Sequence, residues 1–231
     1  MLPDYEEFKR RADAVRARIR EVCALSGRDP GDVELLAVTK SQPAAAAELA
    51  ARYGLRAVGE NRVQEGVDKR AQTAAAVAWE LIGHLQSNKS RIAVQHFDRI
   101  QSVDSAKLLA ILDREAGELG KTLGVLLQVN AGLDPAKSGV EPGEARRLLA
   151  DALERKNLRV EGLMTIAPLS PDPDAARRTF AGLREIRDGL AAGSGARLRE
   201  LSMGMSGDMD AAVAEGSTIV RLGTALFGAR A

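Results

Sequence analysis

Eight short apolar runs recur along this chain, and each is followed by a longer stretch with room for a helix. The runs lie at 34–39, 57–59, 79–82, 99–103, 124–129, 159–164, 198–202 and 218–221, with helix candidates at 43–53, 105–119, 142–156 and 174–191. Strands that alternate with helices pair in parallel through right-handed crossovers. Eight such units at this spacing predict an α/β fold, a single (β/α)8 TIM-type barrel. The second, third and eighth runs are short, so a doubly wound open sheet is the alternative. Ahead of the repeat, 3–26 places Phe8, Ala12, Val15, Ile19 and Val22 at helical spacing, and Gly27 can stop the helix. An extra N-terminal helix is therefore expected. Ser105 and Asp174 are placed to cap later helices, and Gly120 and Asn157 to end them. No linker or composition shift divides the 231 residues, which are read as one domain, 1–231.

Composition narrows the function classes. Lys and Arg total 33 against 32 acids, a net charge of +1 that gives no footprint for nucleic acid or an acidic membrane. No window has the apolar length of a membrane span. Hydrophobic residues make up 45% but aromatics only 3%, so the core must be aliphatic. The one cysteine, Cys23, cannot form an internal disulfide and sits beside the first helix's apolar stripe as a small buried residue. No Cys/His spacing resembles a metal site. The opening segment MLPDYEEFKRR is charged and lacks the apolar run of a signal peptide, so a cytoplasmic location is expected. No exposed apolar helix face calls for a second copy, and a monomer is expected.

In α/β barrels the chemistry sits where the strands end at their C-terminal side. The first strand exits at Lys40, the second at Glu60 and Asn61, the third at His84 and the fourth at Ser102. The fifth exits at Asn130, the sixth at Met164 and Thr165, and the seventh into Ser202-Met203-Gly204-Met205-Ser206-Gly207. The eighth carries Arg221, Gly223 and Thr224. Polar groups at nearly every exit describe the rim of a ligand pocket.

The last two exits, MGMSGD and GTALFG, are both rich in glycine and both carry a hydroxyl. Glycine lets backbone N–H groups approach an anion, and barrels often bind phosphate at these two loops. Such loops are elsewhere mostly plain turns, and it is their place in the fold that favours phosphate. Lys40 is the second informative position, because the chain has eight lysines against 25 arginines. A lysine at a strand end can simply be solvated. Inside a barrel mouth, however, desolvation lowers an ammonium from its free value of about 10.4 and makes a neutral amine available for Schiff-base formation. Lysine plus a phosphate cradle points to pyridoxal phosphate or a phosphorylated carbonyl substrate. Arg221, a donor-only cation, would favour an unprotonated ring nitrogen and a weaker electron sink. An arginine paired with a nearby acid is the equal alternative.

Several of the remaining rim residues carry more than one reading. His84 is a general acid or base, or a hydrogen-bonded structural histidine. His96 is read as a surface residue. Asn61 faces the ligand, caps a helix, or does both. Met203 and Met205 pack on a ring or in the barrel top. Met164, Ser202 and Gly204 complete the possible rim. No Ser-His-Asp arrangement, catalytic carboxylate pair or Walker-type loop occurs.

Seven segments, in order along nearly the whole chain, resemble the pyridoxal phosphate homeostasis proteins, relatives of the alanine racemase N-terminal barrel. They are LLAVTK (35–40), GENRVQE (59–65), IGHLQSNK (82–89), QVN…KSG (128–139), GLMTIAP (162–168), LSMGMSGDMDAAVAEGST (201–218) and VRLGTALFG (220–228). AGLDPAKSG varies in its first half, and Arg62 stands where an aromatic is common. The resemblance implies pyridoxal 5′-phosphate as cofactor, an internal aldimine on Lys40, ring-nitrogen contact at Arg221, and phosphate contacts at Ser206, Gly223 and Thr224. It further implies that the chain buffers or delivers the cofactor, apo pyridoxal-phosphate enzymes being the partners, without robust turnover.

Two other functions share these residues. An amino-acid racemase needs a base on each face of the substrate. In alanine racemases the second base comes from a C-terminal domain that has no counterpart here, and Tyr5 and Tyr53 are both expected on helices away from the exits. A Schiff-base aldolase acting on a sugar phosphate explains the lysine and the loops but leaves Arg221 without a role.

Overall fold

The computed structural model describes residues 2–228. Its strands are β1 (Glu34–Val38), β2 (Ala57–Glu60), β3 (Ala78–Leu81), β4 (Arg99–Val103), β5 (Leu123–Gln128), β6 (Leu158–Met164), β7 (Glu200–Ser202) and β8 (Ile219–Leu222). They form a closed barrel in chain order. Parallel pairing of β1 with β8, from Glu34↔Ile219 to Ala37↔Leu222, closes it and removes the open-sheet alternative. The short strands β2 and β3 suffice because they pair along their whole length, Ala57↔Ala78 to Glu60↔Leu81.

Alternation along each strand decides what faces where. In β1, Leu36 and Val38 point into the barrel beside Ala57, Ile82, Leu126, Met164 and Ile219. Leu35 and Ala37 point outward to the helix layer. The interior also takes polar side chains, with Glu80, Gln101, Ser202 and Arg221 all buried. Strands β6 and β7 approach closely: a Cβ on Gly162 would lie 2.0 Å from the Glu200 carbonyl oxygen on the neighbouring strand.

The outer layer is α2 (Ala45–Tyr53), α3 (Val63–Ala71), α4 (Ser90–His96), α5 (Ala106–Glu118), α6 (Ala145–Leu153), α7 (Ala175–Ser194), α8 (Met209–Ala214) and α9 (Thr224–Phe227). The extra N-terminal helix, α1 (Tyr5–Ser26), starts on Asp4, whose side chain accepts from Glu7 N at 2.8 Å. It stops at Gly27, which takes the left-handed φ of 67° that favours glycine. Its apolar face, with Phe8, Ala12, Val15, Ile19, Val22 and Cys23 buried, packs on α2, α8 and α9, and the Phe8 ring lies 5.3 Å from that of Phe227. Ser105 caps α5, accepting from Leu108 N at 3.3 Å.

Two expected end signals are corrected. Asp174 precedes α7 but has helical φ and ψ and makes no capping bond. The turn there is made by Asp172, whose Oδ1 accepts from Asp174 N at 2.9 Å. Asn157 does not end α6, which stops at Leu153. It ties the start of β6 to α5 instead, its N donating to Asp113 Oδ1 at 2.8 Å. Among the described residues no helix is long and apolar enough to cross a membrane.

Candidate functional site

A cavity of about 500 Å³ opens at the C-terminal end of the barrel, within the ~300–1,000 Å³ usual for small-molecule sites. Val38, the last residue of β1, forms part of its wall, and Lys40 lines it two residues later. The backbone on both sides of Lys40 is pinned. Lys69, buried on α3, donates from Nζ to Thr39 O (2.6 Å), Glu60 Oε1 (2.8 Å) and Glu65 Oε1 (2.7 Å). Thr39 Oγ1 donates to Glu60 Oε1 at 2.6 Å, and Ser41 N donates to Glu65 Oε1 at 2.5 Å. That last bond holds Ser41 at a left-handed φ of 59°, which costs a side-chain-bearing residue about 1–2 kcal/mol. Burial pushes the Glu60 carboxyl up, against the pull of Lys69 and Thr39. Burial acts the same way on Glu65, but Lys69 and the Ser41 amide outweigh it and hold that carboxyl low.

The second and third exits meet at Asn61 and His84, both on the cavity wall. Gly83 makes this possible, since a Cβ there would lie 2.1 Å from the Asn61 carbonyl oxygen. Gly83→Ala is expected to lower stability by ~1–3 kcal/mol or more and to weaken ligand binding, measured by denaturant unfolding and titration. Stability equal to wild type would show that the Asn61–Gly83 contact is not tight. His84 is exposed, with Nδ1 at 3.7 Å from Asp104 Oδ2. Burial raises the Asp104 carboxyl and His84 opposes it. Ser102 turns away from the ligand space and donates to Gly83 O at 2.6 Å. His96, expected on the surface, is half-buried at the end of α4.

After β5 the chain folds back over the cavity. Asn130 brackets Asp134 through its side-chain amide (2.9 and 3.1 Å), and Val129 bridges to Val140. This brings Lys137 and Ser138 to the cavity, where Gln128 Nε2 donates to Ser138 O at 2.9 Å.

The loops after β7 and β8 meet as their composition predicts. Ser206, Gly223 and Thr224 all line the cavity, and Ala225 N at the start of α9 donates to Ser206 Oγ at 3.3 Å. Gly204 takes a left-handed φ of 95°, and a Cβ there would lie 2.4 Å from Ala212 Cβ. Asp208 closes the turn by accepting from Met205 N at 2.5 Å.

Arg221 lines the same cavity yet is only 5% exposed. Its Nη1 donates to Ser202 Oγ and its Nη2 to Thr165 O, each at 2.8 Å. No ion pair to a carboxylate is formed by Arg221 among the described residues. Burial lowers its pKa to about 10, Asp208 opposing through charge, so it stays cationic at neutral pH.

Met203, Met164, Ser202 and Gly204, expected at the rim, also lie elsewhere. Met203 is fully buried in the shell between barrel and helices, because it follows inward-facing Ser202 and so faces the other way. Met205, two residues on, lines the cavity in its place. Met164 fills the barrel interior, Ser202 is buried beneath Arg221, and Gly204 shapes the turn. Sequence reasoning missed Lys69, Glu65 and Asp208. Each acts through backbone groups that come together only once strands and loops are placed, and no local motif announces that.

The chain matches the family model described as "Alanine racemase, N-terminal domain" over residues 11–231. It is 44% identical over 217 residues to the pyridoxal phosphate homeostasis protein of Pseudomonas aeruginosa, covering 94% of this chain and 93% of that one. It is 43% identical to the structure of PipY from Synechococcus elongatus with pyridoxal phosphate bound, with a TM-score of 0.81, covering 91% of this chain and all of that one. Alanine racemase from Clostridium difficile shares the fold, with a TM-score of 0.76 at 15% identity, over 93% of this chain and 55% of that one. This chain belongs to the pyridoxal phosphate homeostasis proteins, within the alanine racemase N-terminal domain family.

Proposed function

We propose that this chain holds pyridoxal 5′-phosphate on Lys40 and buffers or delivers it to apo-enzymes, acting as one cytoplasmic, monomeric unit over 1–231 without robust turnover of its own. The observation that carries this is Arg221, a buried cation on the cavity wall that makes no ion pair among the described residues. The cofactor's ring nitrogen accepts a hydrogen bond only when unprotonated, and a donor-only guanidinium favours that state. A sugar phosphate offers oxygens to a guanidinium but no ring nitrogen whose protonation the guanidinium would set.

The remaining donors fit the same ligand. Ser206, Thr224 and the Gly223 backbone edge can take a phosphate where the two loops meet, and Lys40 supplies the amine. When bound, the cofactor brings an aldehyde that condenses with that amine, its oxygen leaving as water. The carrier reading is supported by the position of the two tyrosines. Tyr53 Oη donates to Asp13 Oδ1 at 2.7 Å between α2 and α1, and Tyr5 begins α1. Neither lines the cavity, so neither supplies the base a racemase needs on its second face.

The purified protein is expected to be yellow, and borohydride should fix the cofactor to Lys40, read by peptide mass. A colourless protein that borohydride links to a sugar phosphate would overturn the reading in favour of an aldolase. Incubation with L-alanine and other amino acids, followed by chiral analysis, should show no sustained racemisation; steady turnover would overturn the carrier role. Ser206→Ala and Thr224→Ala are each expected to weaken retention about tenfold, since a hydrogen bond to an anion is lost. Both variants should stay yellow at saturating cofactor.

A further inference from the structure

Arg221 is gripped from inside the barrel by a line of side chains that never reaches the cavity. Arg221 Nη1 donates to Ser202 Oγ at 2.8 Å, and Ser202 Oγ donates to Gln101 Oε1 at 2.5 Å. Gln101 Nε2 then donates to Glu80 Oε2 at 2.6 Å, and Glu80 is held by Arg99 Nε and Nη2 at 2.9 and 2.7 Å. The line crosses four strands, β8, β7, β4 and β3. Ser202 and Gln101 are fully buried, and Glu80 is 1% exposed.

With Glu80 ionised beside Arg99, the direction of every proton in this line is forced. A guanidinium only donates and a carboxylate only accepts. The serine proton must therefore go to the glutamine oxygen, which leaves the glutamine nitrogen to donate to Glu80. One amide orientation satisfies both ends. The result is a buried cation and a buried anion connected through two neutral groups whose dipoles are aligned between them. In a medium of low polarity such aligned bonds reinforce one another. Ser202 also fixes where the guanidinium sits, together with the Thr165 carbonyl oxygen, and these two acceptors use only part of its N–H groups.

We propose that Ser202, Gln101 and Glu80 are positioning residues for cofactor recognition: they aim Arg221 at the pyridine ring and set how firmly the ring nitrogen is held, from across the barrel. This rests on reading the cavity as a pyridoxal phosphate site.

The test uses the full chain, with Ser202→Ala, Ser202→Thr and Gln101→Glu. Pyridoxine 5′-phosphate, which has an alcohol in place of the aldehyde, reads ring and phosphate recognition without Lys40. Inorganic phosphate reads the two loops alone. Ser202→Ala is expected to weaken pyridoxine 5′-phosphate about tenfold, the size of one lost charged hydrogen bond, and to leave inorganic phosphate unchanged. Ser202→Thr keeps a hydroxyl and should restore binding. Gln101→Glu sets a second acidic group against Glu80 and should move the pH at which the Lys40-bound cofactor changes its visible band. Should Ser202→Ala fail to fold, the Gln101→Glu band decides. Folded variants that bind pyridoxine 5′-phosphate like wild type and keep the wild-type band overturn the proposal and leave the cofactor reading standing. Lower melting temperature with unchanged binding also overturns it, since the column would then be structural only. If the unaltered chain binds neither pyridoxal nor pyridoxine 5′-phosphate, the cofactor reading fails and takes this inference with it.

Discussion

Lys40→Ala is expected to yield a colourless protein, with no cofactor fixed by borohydride, while pyridoxine 5′-phosphate still binds. Lys40 lines the cavity at the end of the first strand, between Thr39 and Ser41, whose backbone groups are tied to Lys69 and Glu65. Removing its side chain leaves Arg221, Ser206, Gly223 and Thr224 in place. Ring and phosphate should therefore still be recognised, and only the covalent link should go. Lys137 lines the same cavity, but from the loop that folds back after β5. A visible band that persists in Lys40→Ala, and that borohydride fixes to Lys137, would overturn the assignment.

Arg99→Met should destabilise the fold by about 3–5 kcal/mol, the cost of stripping a buried charge of its partner. Glu80 is 1% exposed and receives two bonds from Arg99, while Arg99 Nη1 also donates to Glu161 Oε2 at 3.0 Å. Methionine fills a similar volume without charge, so the loss is electrostatic rather than a cavity. Urea unfolding at neutral pH measures it. The pH dependence has a definite sign. Burial already raises the Glu80 pKa above its ordinary 4.5, Arg99 being the largest opposing influence. In the variant that opposition is gone, so the folded state favours protonated Glu80 still more. An acid whose pKa is higher folded than unfolded costs stability as pH rises beyond its unfolded value. The defect should therefore shrink as pH falls towards about 4.5. A defect that stays constant or grows on acidification would show that Glu80 is not the group left uncompensated.

The barrel was legible because period-2 and helical patterns alternate with little interference. Even β2, β3 and β8, the weakest runs, fell where strands form. Closure itself was inferred from the count, and the β1–β8 register supplies it. The cavity's main residues were also legible, since Lys40 and the two glycine-rich loops sit at strand exits and Arg221 lies near the end of β8. Met203 against Met205 was not, because the left-handed turn at Gly204 resets the alternation after β7 and brings Met205 to the cavity. Gln101 and Glu80 were hidden for a different reason. Both sit mid-strand, where sequence suggests filler, and their meaning comes from partners on strands across the barrel. Asp174 failed as a cap because Asp172, two residues earlier, forms the turn first.

The left-handed serine beside Lys40 has a consequence for how a carrier must behave. Because Lys69 and Glu65 hold the backbone on both sides of Lys40, the amine's main chain would have little freedom left to lose if a bond formed on it. That entropy is surrendered during folding, so if Lys40 carries the cofactor, capture and release would need little rearrangement of the main chain. A vessel of this kind can fill and empty repeatedly at little conformational cost, the property that separates a reversible store from a trap.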